Sequence, residues 1–399
     1  MMNVQDYIEL ENRFGASIYF SSNVVLTRGN GVWVWDVTGK KYLDCIAGYS
    51  AANQGHCHPK IINALIDQCQ KLSITSRSFR NDQLGLFFKE ICELTSYEKV
   101  IPMNSGSEAV ETAIKTGRKW GYKIRGIREN QAEIIVCENN YHGRTTTISG
   151  FSSRSHYKEG FGPFTPGFKT VPFGDARAVE DAITSNTAAF LAEPIQGEGG
   201  IVIPPSGYWQ QVRTICDKHN ILLILDEIQT GLGRTGKLLA QQHDGIKADI
   251  TLIGKSLAGG FLPTSVILGD AKVMDVFSPG EHGSTFGGNP LACAVARKAI
   301  QVLVEEGMIE NAEKMGAYFM SALQKITSPH IKEIRGKGLM IGIEVTSQSG
   351  GARKFCEKLE KKGLLCMETN ETVIRLTPSL IIGKNEIDWA IEIIRSVFD

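Results

Sequence analysis

The sequence lacks an excess of either charge, because lysine plus arginine and aspartate plus glutamate each number 43. A neutral chain without a basic block gives no electrostatic reason to expect nucleic acid or an anionic membrane surface as a partner. It also lacks any apolar stretch long enough to span a bilayer. We therefore expect neither a nucleic-acid partner nor a membrane partner.

Paired cysteines are missing as well. The nine cysteines are scattered, odd in number and without a CxxC pair, which is typical of reduced core residues rather than of a disulfide framework. The first residues include Asp6 and Glu9 and contain no basic segment followed by an apolar one. This composition argues against a secretory signal and an organellar presequence, so we expect a cytoplasmic protein.

Several motifs of well-known sites are absent, among them Walker A, HExxH and GxSxG. His56 and His58 have no third ligand nearby, so no metal site is predicted. Residues 231–236 do match GxGxxG. In a dinucleotide site these glycines directly follow the strand and open a helix, but here residues 226–230 intervene and bring a carboxylate. A nicotinamide cofactor is therefore disfavoured.

A chain of 399 residues with 42% hydrophobic and 22% charged residues can bury a large core, and its length favours two domains. We predict an N-terminal arm with short strands at residues 1–48. Residues 49–306 form a large domain in which strands alternate with helices. From residue 307 to 399, charged helical stretches alternate with short strands, which indicates a smaller α+β domain.

Short apolar runs in the large domain predict strands that are buried on both faces. They lie at residues 134–137, 188–192, 221–225 and 250–253. Such runs, separated by helical stretches, are typical of the α/β class with a largely parallel sheet. Binding sites in these sheets lie at the carboxyl ends of the strands.

An acid and an amine follow two of these runs. Asp226 directly follows residues 221–225, and Lys255 follows residues 250–253 through one glycine. An acid next to five aliphatic residues is costly to bury unless it is paired. At one sheet edge, a carboxylate could keep a ring nitrogen protonated while a lysine forms a Schiff base with an aldehyde. The pair therefore predicts pyridoxal phosphate.

The segment NSGS at residues 104–107 precedes a helix predicted from residue 108. Small residues at a helix start leave backbone N–H groups free to bind an anion. The alternative is an ordinary cap with Ser107 as the capping residue. A phosphate-bearing cofactor, inferred independently from Asp226 and Lys255, favours the anion site.

The loops after the first two predicted strands add further polar groups. The first loop carries Tyr141 and Arg144, and the second carries Glu193 and Glu198. If the sheet is parallel, both loops lie at the edge where Asp226 and Lys255 are expected. An aromatic ring, an arginine and two acids would then surround the same crevice.

The stretches NSGSEAVETA, EPIQGEGG, LDEIQTGLGRTG, GKSLAGG and GEHGSTFGGNPLACAVA resemble the class III, fold-type I pyridoxal-phosphate aminotransferases. The similarity runs from about Arg13 to the end. It implies a mostly parallel sheet in a large domain and a smaller α+β C-terminal domain. A regulatory or scaffold protein of this fold would be expected to lack the lysine or the aspartate, and this chain has both.

The resemblance also implies the residues that bind the cofactor. Lys255 would hold it and move the reacting proton, Asp226 would pair with the ring nitrogen, and Gln229 would reach the ring hydroxyl. Tyr141 would stack on the ring where many relatives have phenylalanine, and stacking needs only the aromatic face. The expected cofactor-binding set is Gly106, Ser107, Tyr141, His142, Asp226, Ile228, Gln229, Lys255 and Thr285.

The phosphate would be shared between two subunits. Gly106 and Ser107 would bind it from one chain, and Thr285 would reach it from the neighbouring chain. This arrangement implies a homodimer or a dimer of dimers.

Within the class, YSAANQGHCHPKI, GFGPFTPGF and RGKGLMIGIE resemble the ornithine aminotransferases, which act on the δ-amino group. The resemblance implies that Tyr19 and Arg144 hold the α-amino and α-carboxylate groups of ornithine, with Tyr49 lining the pocket. Arg375 would bind a carboxylate of 2-oxoglutarate, and Glu198 would pair with Arg375 while ornithine is bound. The products would be glutamate 5-semialdehyde and glutamate.

Sister enzymes acting on N-acetylornithine or 4-aminobutyrate share the cofactor motifs. Only Tyr19, Tyr49 and their surroundings distinguish these substrates, so both alternatives stay open.

Overall fold

The computed structural model describes residues 2–399, which begin with a helix and three short antiparallel strands. These elements are α1 (Val4–Phe14), β1 (Leu26–Asn30), β2 (Trp33–Asp36) and β3 (Lys41–Asp44). α1 buries none of its residues, and its start is marked by reciprocal hydrogen bonds between Asn3 and Asp6. The expected N-terminal arm therefore contains a helix that sequence periodicity did not predict.

The following segment alternates helices and strands. It consists of the single turn α2 (Ala47–Ser50), α3 (Pro59–Cys69), α4 (Leu84–Thr95), β4 (Lys99–Met103), α5 (Gly106–Lys123), β5 (Glu133–Cys137), α6 (Thr146–Gly150), β6 (Phe168–Val171), α7 (Ala176–Asp181), β7 (Thr187–Ala192), α8 (Tyr208–His219), β8 (Leu222–Asp226), β9 (Ile250–Ile253), β10 (Ser265–Gly269), α9 (Ala271–Met274) and α10 (Pro290–Glu305).

The central sheet has seven strands in the order β4-β10-β9-β8-β7-β5-β6. From β9 to β6 all neighbouring strands are parallel, whereas β10 is antiparallel to both β9 and β4. The predicted α/β class with a largely parallel sheet is confirmed. Each of the four apolar runs forms one strand, namely β5, β7, β8 and β9.

Two layers of apolar side chains cover this sheet. On one face Ile134 packs in a cluster with Ala113 of α5, and on the other face Ile135 packs in a cluster with Val212 of α8. Burial of each such aliphatic side chain contributes about 1.5–3 kcal/mol, which favours strands that are apolar on both sides. The carboxyl ends of β5, β7, β8 and β9 therefore meet at one edge of a rigid layer.

The C-terminal part forms an antiparallel sheet in the order β11-β12-β15-β14, flanked by helices. Its elements are α11 (Met308–Leu323), β11 (Ile331–Lys337), β12 (Met340–Val345), α12 (Arg353–Lys361), β13 (Leu364–Leu365), β14 (Met367–Thr369), β15 (Val373–Leu376) and α13 (Lys384–Phe398). This arrangement agrees with the expected α+β part. β13 pairs with β3, so this part also shares a sheet with the N-terminal strands. The domain boundaries given above stay a prediction.

None of the helices within residues 2–399 combines the length and the apolar character required to cross a membrane.

Candidate active site

Asp226 is the last residue of β8 and is almost fully buried. Its Oδ1 accepts the backbone N–H of Ile228 at 3.0 Å, and His142 Nδ1 donates to its Oδ2 at 2.6 Å. Burial lowers the pKa of His142, but the hydrogen bond to Asp226 and the charges of Asp226 and Glu193 together raise it above its usual value. The His142 side chain and the Ile228 backbone thus hold the Asp226 carboxylate in a fixed orientation.

Lys255 follows β9 in the left-handed backbone region, with φ +47°. Residues other than glycine rarely adopt this backbone conformation, and those that do often lie at functional sites. Burial lowers the pKa of the Lys255 amine, Asp226 opposes this shift, and the charge of Arg375 adds to it. A larger fraction of this amine is therefore neutral than is usual for a lysine.

The start of α5 forms the third part of the site. Ser105 caps the helix and Glu108 completes a capping box, so the expected alternative with Ser107 as the cap is wrong. Gly106 and Ser107 lie in the first turn, where backbone N–H groups have no acceptor within the helix. A Cβ at Gly143 would lie 2.1 Å from Ser107 Oγ, so only glycine permits this approach.

These elements enclose a cavity of about 190 Å³. It is lined by Gly106, Ser107, Tyr141, His142, Gly143, Glu193, Asp226, Ile228, Gln229, Thr230 and Lys255. Every residue predicted to bind the cofactor lies there except Thr285, which is exposed in the loop before α10. Of the other lining residues, Glu193 was expected near this crevice from its position after a strand, whereas Gly143 and Thr230 were not assigned to it.

Glu193 directly follows β7, as Asp226 follows β8. Its carboxylate accepts the backbone N–H groups of Tyr141 at 2.9 Å and Gly197 at 3.0 Å. Burial raises the pKa of Glu193 to about 7, and the neighbouring Asp226 contributes to the shift. An acid immediately after an apolar run is the same sequence pattern that identified Asp226, and it led us to expect Glu193 near the crevice, although without an assigned role.

Aromatic side chains form one wall and extend it towards solvent. Tyr141 is half-buried and lies edge-on to Tyr157, with ring centroids 6.4 Å apart. The Arg144 guanidinium lies 4.3 Å from the centroid of the Tyr157 ring and donates to its hydroxyl at 3.2 Å. Tyr157, which the sequence did not single out, thus links the cavity wall to Arg144.

An ion pair between buried Arg375 and half-buried Glu198 lies on the side of the small sheet. Arg375 of β15 donates to Glu198 Oε1 at 2.5 Å. Burial raises the pKa of Glu198, but the charge and hydrogen bond of Arg375, together with the charges of Lys255 and Arg154, outweigh burial and lower that pKa below its usual value. Arg154 Nη2 and Thr369 Oγ1 also donate to the Glu198 carbonyl, at 2.6 and 2.9 Å. The backbone of Glu198 is therefore held in place, while its carboxylate is bound by Arg375.

Two tyrosines lie at the outer rim. The Tyr49 ring centroid is 5.2 Å from the Arg375 guanidinium, and the Tyr49 hydroxyl lies 3.2 Å from Met367 Sδ. Tyr19 is 74% exposed and is not among the residues lining the cavity. Partial burial raises the pKa of Tyr49, and Tyr19 contributes to the shift.

The GxGxxG match at residues 231–236 forms a series of turns, not the start of a helix. Arg234 within it is fully buried and donates to Asn53 Oδ1 and to the carbonyls of Leu339 and Pro378. This loop is occupied by contacts within the chain, so a dinucleotide-binding role is excluded by its geometry.

The two histidines considered as metal ligands have acidic partners. His56 pairs with Asp44, and His58 pairs with Glu306. Across residues 2–399, no cluster of three histidine, cysteine or acidic side chains is arranged to hold a metal ion.

The donor set of the cavity fits pyridoxal phosphate. Gln229 Nε2 and His142 Nε2 are buried and have no hydrogen-bond acceptor among the described residues. Gln229 Nε2 suits a ring hydroxyl, and the Asp226 carboxylate suits a ring nitrogen. The Lys255 amine suits an aldehyde, and the free N–H groups at the start of α5 suit a phosphate.

Known proteins with similar sequences and structures point to one family. A family model described as aminotransferase class-III matches residues 17–398. The ornithine aminotransferase of Bordetella pertussis is 55% identical over 381 residues, which cover 96% of this chain and 92% of the relative. The crystal structure of Toxoplasma gondii ornithine aminotransferase has a TM-score of 0.98 and 44% identity, covering 100% of this chain and 95% of that chain.

The crystal structure of acetylornithine aminotransferase from Elizabethkingia anophelis has a TM-score of 0.90 and 45% identity, covering 100% of this chain and 99% of that chain. Another crystal structure of the Toxoplasma enzyme has partial occupancy of pyridoxal phosphate at its active site. The chain therefore belongs to the class III aminotransferases, and its cofactor is pyridoxal phosphate.

Proposed function

We propose that the protein transfers the δ-amino group of L-ornithine to 2-oxoglutarate, releasing glutamate 5-semialdehyde and glutamate in two half-reactions. The observation that carries the proposal is the ion pair between buried Arg375 and half-buried Glu198, whose charges act on Lys255 in the cofactor cavity. The relatives from Bordetella and Toxoplasma, both named ornithine aminotransferases, support it.

The Arg375–Glu198 pair suits a site that must accept two unlike substrates in turn. The δ-carbon of ornithine has no carboxylate beside it, so a paired and neutralised Arg375 suits this half-reaction. The keto carbon of 2-oxoglutarate has a carboxylate beside it, which needs a free cation. When Glu198 moves away, Arg375 meets that need, so one pair serves both substrates.

The chain's own residues prepare the chemistry at the reacting carbon. When bound, pyridoxal phosphate supplies an aldehyde that takes up the substrate amine and a ring that delocalises negative charge. Asp226, oriented by His142, keeps the ring nitrogen protonated. Lys255 Nζ, whose pKa is lowered by burial, would hold and move the proton at the reacting carbon of the substrate.

The other end of ornithine is held by residues at the rim. Arg144 lies against Tyr157 and binds the α-carboxylate, while Tyr19 holds the α-amino group and Tyr49 lines the pocket between them. With the α-end held at the rim, the δ-amine lies at Lys255. The distance between the two ends of the substrate thereby selects the δ-amino group.

N-acetylornithine is the second candidate substrate, because the Elizabethkingia relative at 45% identity is an acetylornithine aminotransferase. Acetylation removes the positive charge of the α-amine and adds bulk next to Tyr19 and Tyr49. 4-Aminobutyrate is a third candidate and lacks the α-amine altogether. These rim residues, and not the cofactor residues, decide between the three.

The substrate proposal is tested by assaying the purified holoenzyme with ornithine, N-acetylornithine and 4-aminobutyrate, each with 2-oxoglutarate, while trapping the semialdehyde. We expect the highest kcat/KM with ornithine. Inert ornithine together with rapid turnover of N-acetylornithine would replace the proposed substrate.

The role of Lys255 is tested by Lys255→Ala. We expect the loss of the visible absorbance of the bound cofactor and of nearly all turnover. Lys247→Ala is the matched control, because Lys247 is an exposed lysine that pairs with Asp270. Normal turnover in the Lys255 variant would contradict the assignment.

We also propose a homodimer, either alone or as half of a dimer of dimers. Thr285 is exposed and does not line the cavity of its own chain, and its neighbour Phe286 is 57% exposed. A second subunit would cover this loop and receive Thr285 at its phosphate site.

A further inference from the structure

The segment that carries Tyr49 has an unusual backbone. Four consecutive residues, Ala47 to Ser50, have φ angles of +47°, +58°, +57° and +73°. Only Gly48 adopts such angles without steric cost, and left-handed residues normally occur singly. A full left-handed turn therefore needs support from its surroundings, and this turn carries a residue predicted to contact substrate.

Asp44 supplies support at the start of the turn. Its Oδ1 accepts the backbone N–H groups of Ile46 at 2.8 Å and Ala47 at 2.9 Å, while its Oδ2 lies 2.7 Å from His56 Nε2. The carboxylate is only 6% exposed. An ionised acceptor forms stronger hydrogen bonds than a neutral one, so Asp44 holds the entry to the turn firmly.

Thr377 supplies support from the other side. It lies two residues after Arg375, its backbone N–H donates to the Cys45 carbonyl at 2.7 Å, and its hydroxyl donates to the Ile46 carbonyl at 3.0 Å. The chain that leads into the turn is thereby fixed to the strand that carries Arg375. This explains how Tyr49 comes to lie 5.2 Å from the Arg375 guanidinium.

We propose that Asp44 is a positioning residue for substrate selection: by holding the left-handed turn, it keeps Tyr49 against Arg375 at the rim of the site. This inference rests on the proposed ornithine activity and deepens it, because it assigns selectivity to a carboxylate that touches neither substrate nor cofactor. Loss of the carboxylate lets the turn relax to ordinary φ angles, which moves Tyr49 away.

The test compares Asp44→Asn with wild type as the holoenzyme. Asparagine keeps the size of the side chain but removes the charge. We expect the ratio of kcat/KM for ornithine to that for 4-aminobutyrate to change by roughly tenfold, because selectivity depends on the placement of contacting groups. The visible absorbance of the bound cofactor stays unchanged, because Asp44 is not in the cofactor cavity.

Asp36→Asn is the matched control. Asp36 is equally buried and also organises a turn, accepting the backbone N–H groups of Thr38 and Lys40 and the Tyr42 hydroxyl, but that turn carries no site residue. We expect its substrate ratio to remain that of wild type. An equal change in both variants would show a general effect of destabilisation and would overturn the inference.

Two further variants test whether Asp44 affects substrate selection through the left-handed turn and Tyr49. In a Tyr49→Ala background, Asp44→Asn should leave the substrate ratio unaltered, because the group it positions is gone. Adding Ala47→Gly to Asp44→Asn should restore much of the wild-type ratio, since glycine adopts positive φ without steric cost. A full Asp44 effect without the Tyr49 ring, or no rescue by Gly at 47, would overturn the proposed role.

The position of Tyr49 can also be measured independently of enzyme activity. A crystal structure of the Asp44→Asn holoenzyme should show Tyr49 displaced from Arg375, and an unmoved Tyr49 would overturn the inference whichever substrate the wild type accepts. Failure of the proposed function is distinct, because it appears in the wild type as inert ornithine.

Discussion

At the scale of single residues, Glu193 and Asp226 are buried carboxylates at the ends of neighbouring strands, and they differ in their partners. Asp226 accepts a hydrogen bond from the imidazole of His142. Glu193 has only two backbone N–H groups, so burial is not fully offset and raises its pKa to about 7. Its protonation state therefore changes near neutral pH.

This difference predicts a pH-dependent stability. Between the ordinary pKa of 4.5 and the folded value of about 7, the folded chain holds a proton on Glu193 that the unfolded chain has lost. Raising the pH through this window therefore lowers the free energy of unfolding, by up to about 3 kcal/mol. Glu193→Gln removes this titration, so the variant should gain stability relative to wild type as pH rises from about 5 to about 8.

The measurement is the difference in Tm between variant and wild type across this pH range, with the cofactor removed. The amide adds a constant cost, because it cannot accept both N–H groups, but this cost does not vary with pH. Substitution of the exposed Glu159 by Gln is the control and should give a flat difference. A flat difference for Glu193→Gln as well would contradict the prediction.

The sequence indicated cavity residues that follow short apolar runs, but it did not indicate residues whose role depends on contacts with distant parts of the chain. Asp226 and Lys255 were identified because a solvated side chain has no reason to follow such a run. Tyr157 has no local pattern, since its contact with Arg144 arises only when two loops meet. Asp44 is similar, because its role depends on the left-handed turn after it, and backbone angles of this kind do not appear in a residue pattern.

At the scale of elements, α5 begins with two serines in different positions, one that caps the helix and one that lines the cavity where we propose that the phosphate binds. Ser105 accepts the N–H of Glu108, while Ser107, two residues later, lines the cavity. Because neither side chain duplicates the contact of the other, substitution of each should have a different consequence.

Ser105→Ala should lower the free energy of unfolding by about 1 kcal/mol, the usual effect of losing a cap, and leave cofactor affinity nearly unaltered. Ser107→Ala should leave the stability of the cofactor-free protein nearly unaltered and weaken pyridoxal phosphate binding by roughly fivefold to tenfold, since one hydrogen bond to the phosphate is lost. Denaturant unfolding and cofactor titration measure the two effects. Equal loss of affinity in both variants would refute this division of tasks.

Elements with strong apolar patterns were predicted and weakly patterned ones were not. β5, β7, β8 and β9 are buried on both faces and appear in the sequence as continuous apolar runs. β4 is mixed in character and contains a proline, and α1 buries nothing, so neither has a pattern set by a core. For such elements the tertiary pairing, or a local cap, decides the structure.

At the scale of the whole molecule, contacts between distant segments join the parts of the chain. β3 pairs with β13, and Arg234 joins the loop after β8 to the carbonyls of Leu339 and Pro378. Burial lowers the pKa of Arg234 to about 9, yet its hydrogen bonds compensate for a buried cation. No local sequence pattern encodes these pairings between distant segments. The domain boundaries expected from the sequence therefore stay a prediction.

The loop that carries Thr285 is held firmly although Thr285 itself is exposed. Ser284 Oγ accepts from Asn104 Nδ2 at 3.0 Å, and His282 lies within hydrogen-bonding distance of Thr112 and Lys115 of α5. A fixed loop with an outward hydroxyl is suited to a neighbouring subunit rather than to its own cavity. In the proposed dimer, α5 would contribute Gly106 and Ser107 to the phosphate site of its own chain, and it would also hold the loop that reaches the phosphate site of the partner.

A mixed dimer tests this arrangement. Thr285→Ala alone should weaken pyridoxal phosphate binding by roughly tenfold through loss of one hydrogen bond to a charged group. When Thr285→Ala and Lys255→Ala chains are combined, a shared site predicts that one of the two sites has both residues intact, and half of the sites regain wild-type cofactor affinity and turnover. If Thr285 served its own chain, every site in the mixed dimer would lack one of the two residues. Cofactor titration of the purified mixed dimer distinguishes these outcomes, because wild-type affinity at half of the sites appears only when the hydroxyl comes from the other subunit.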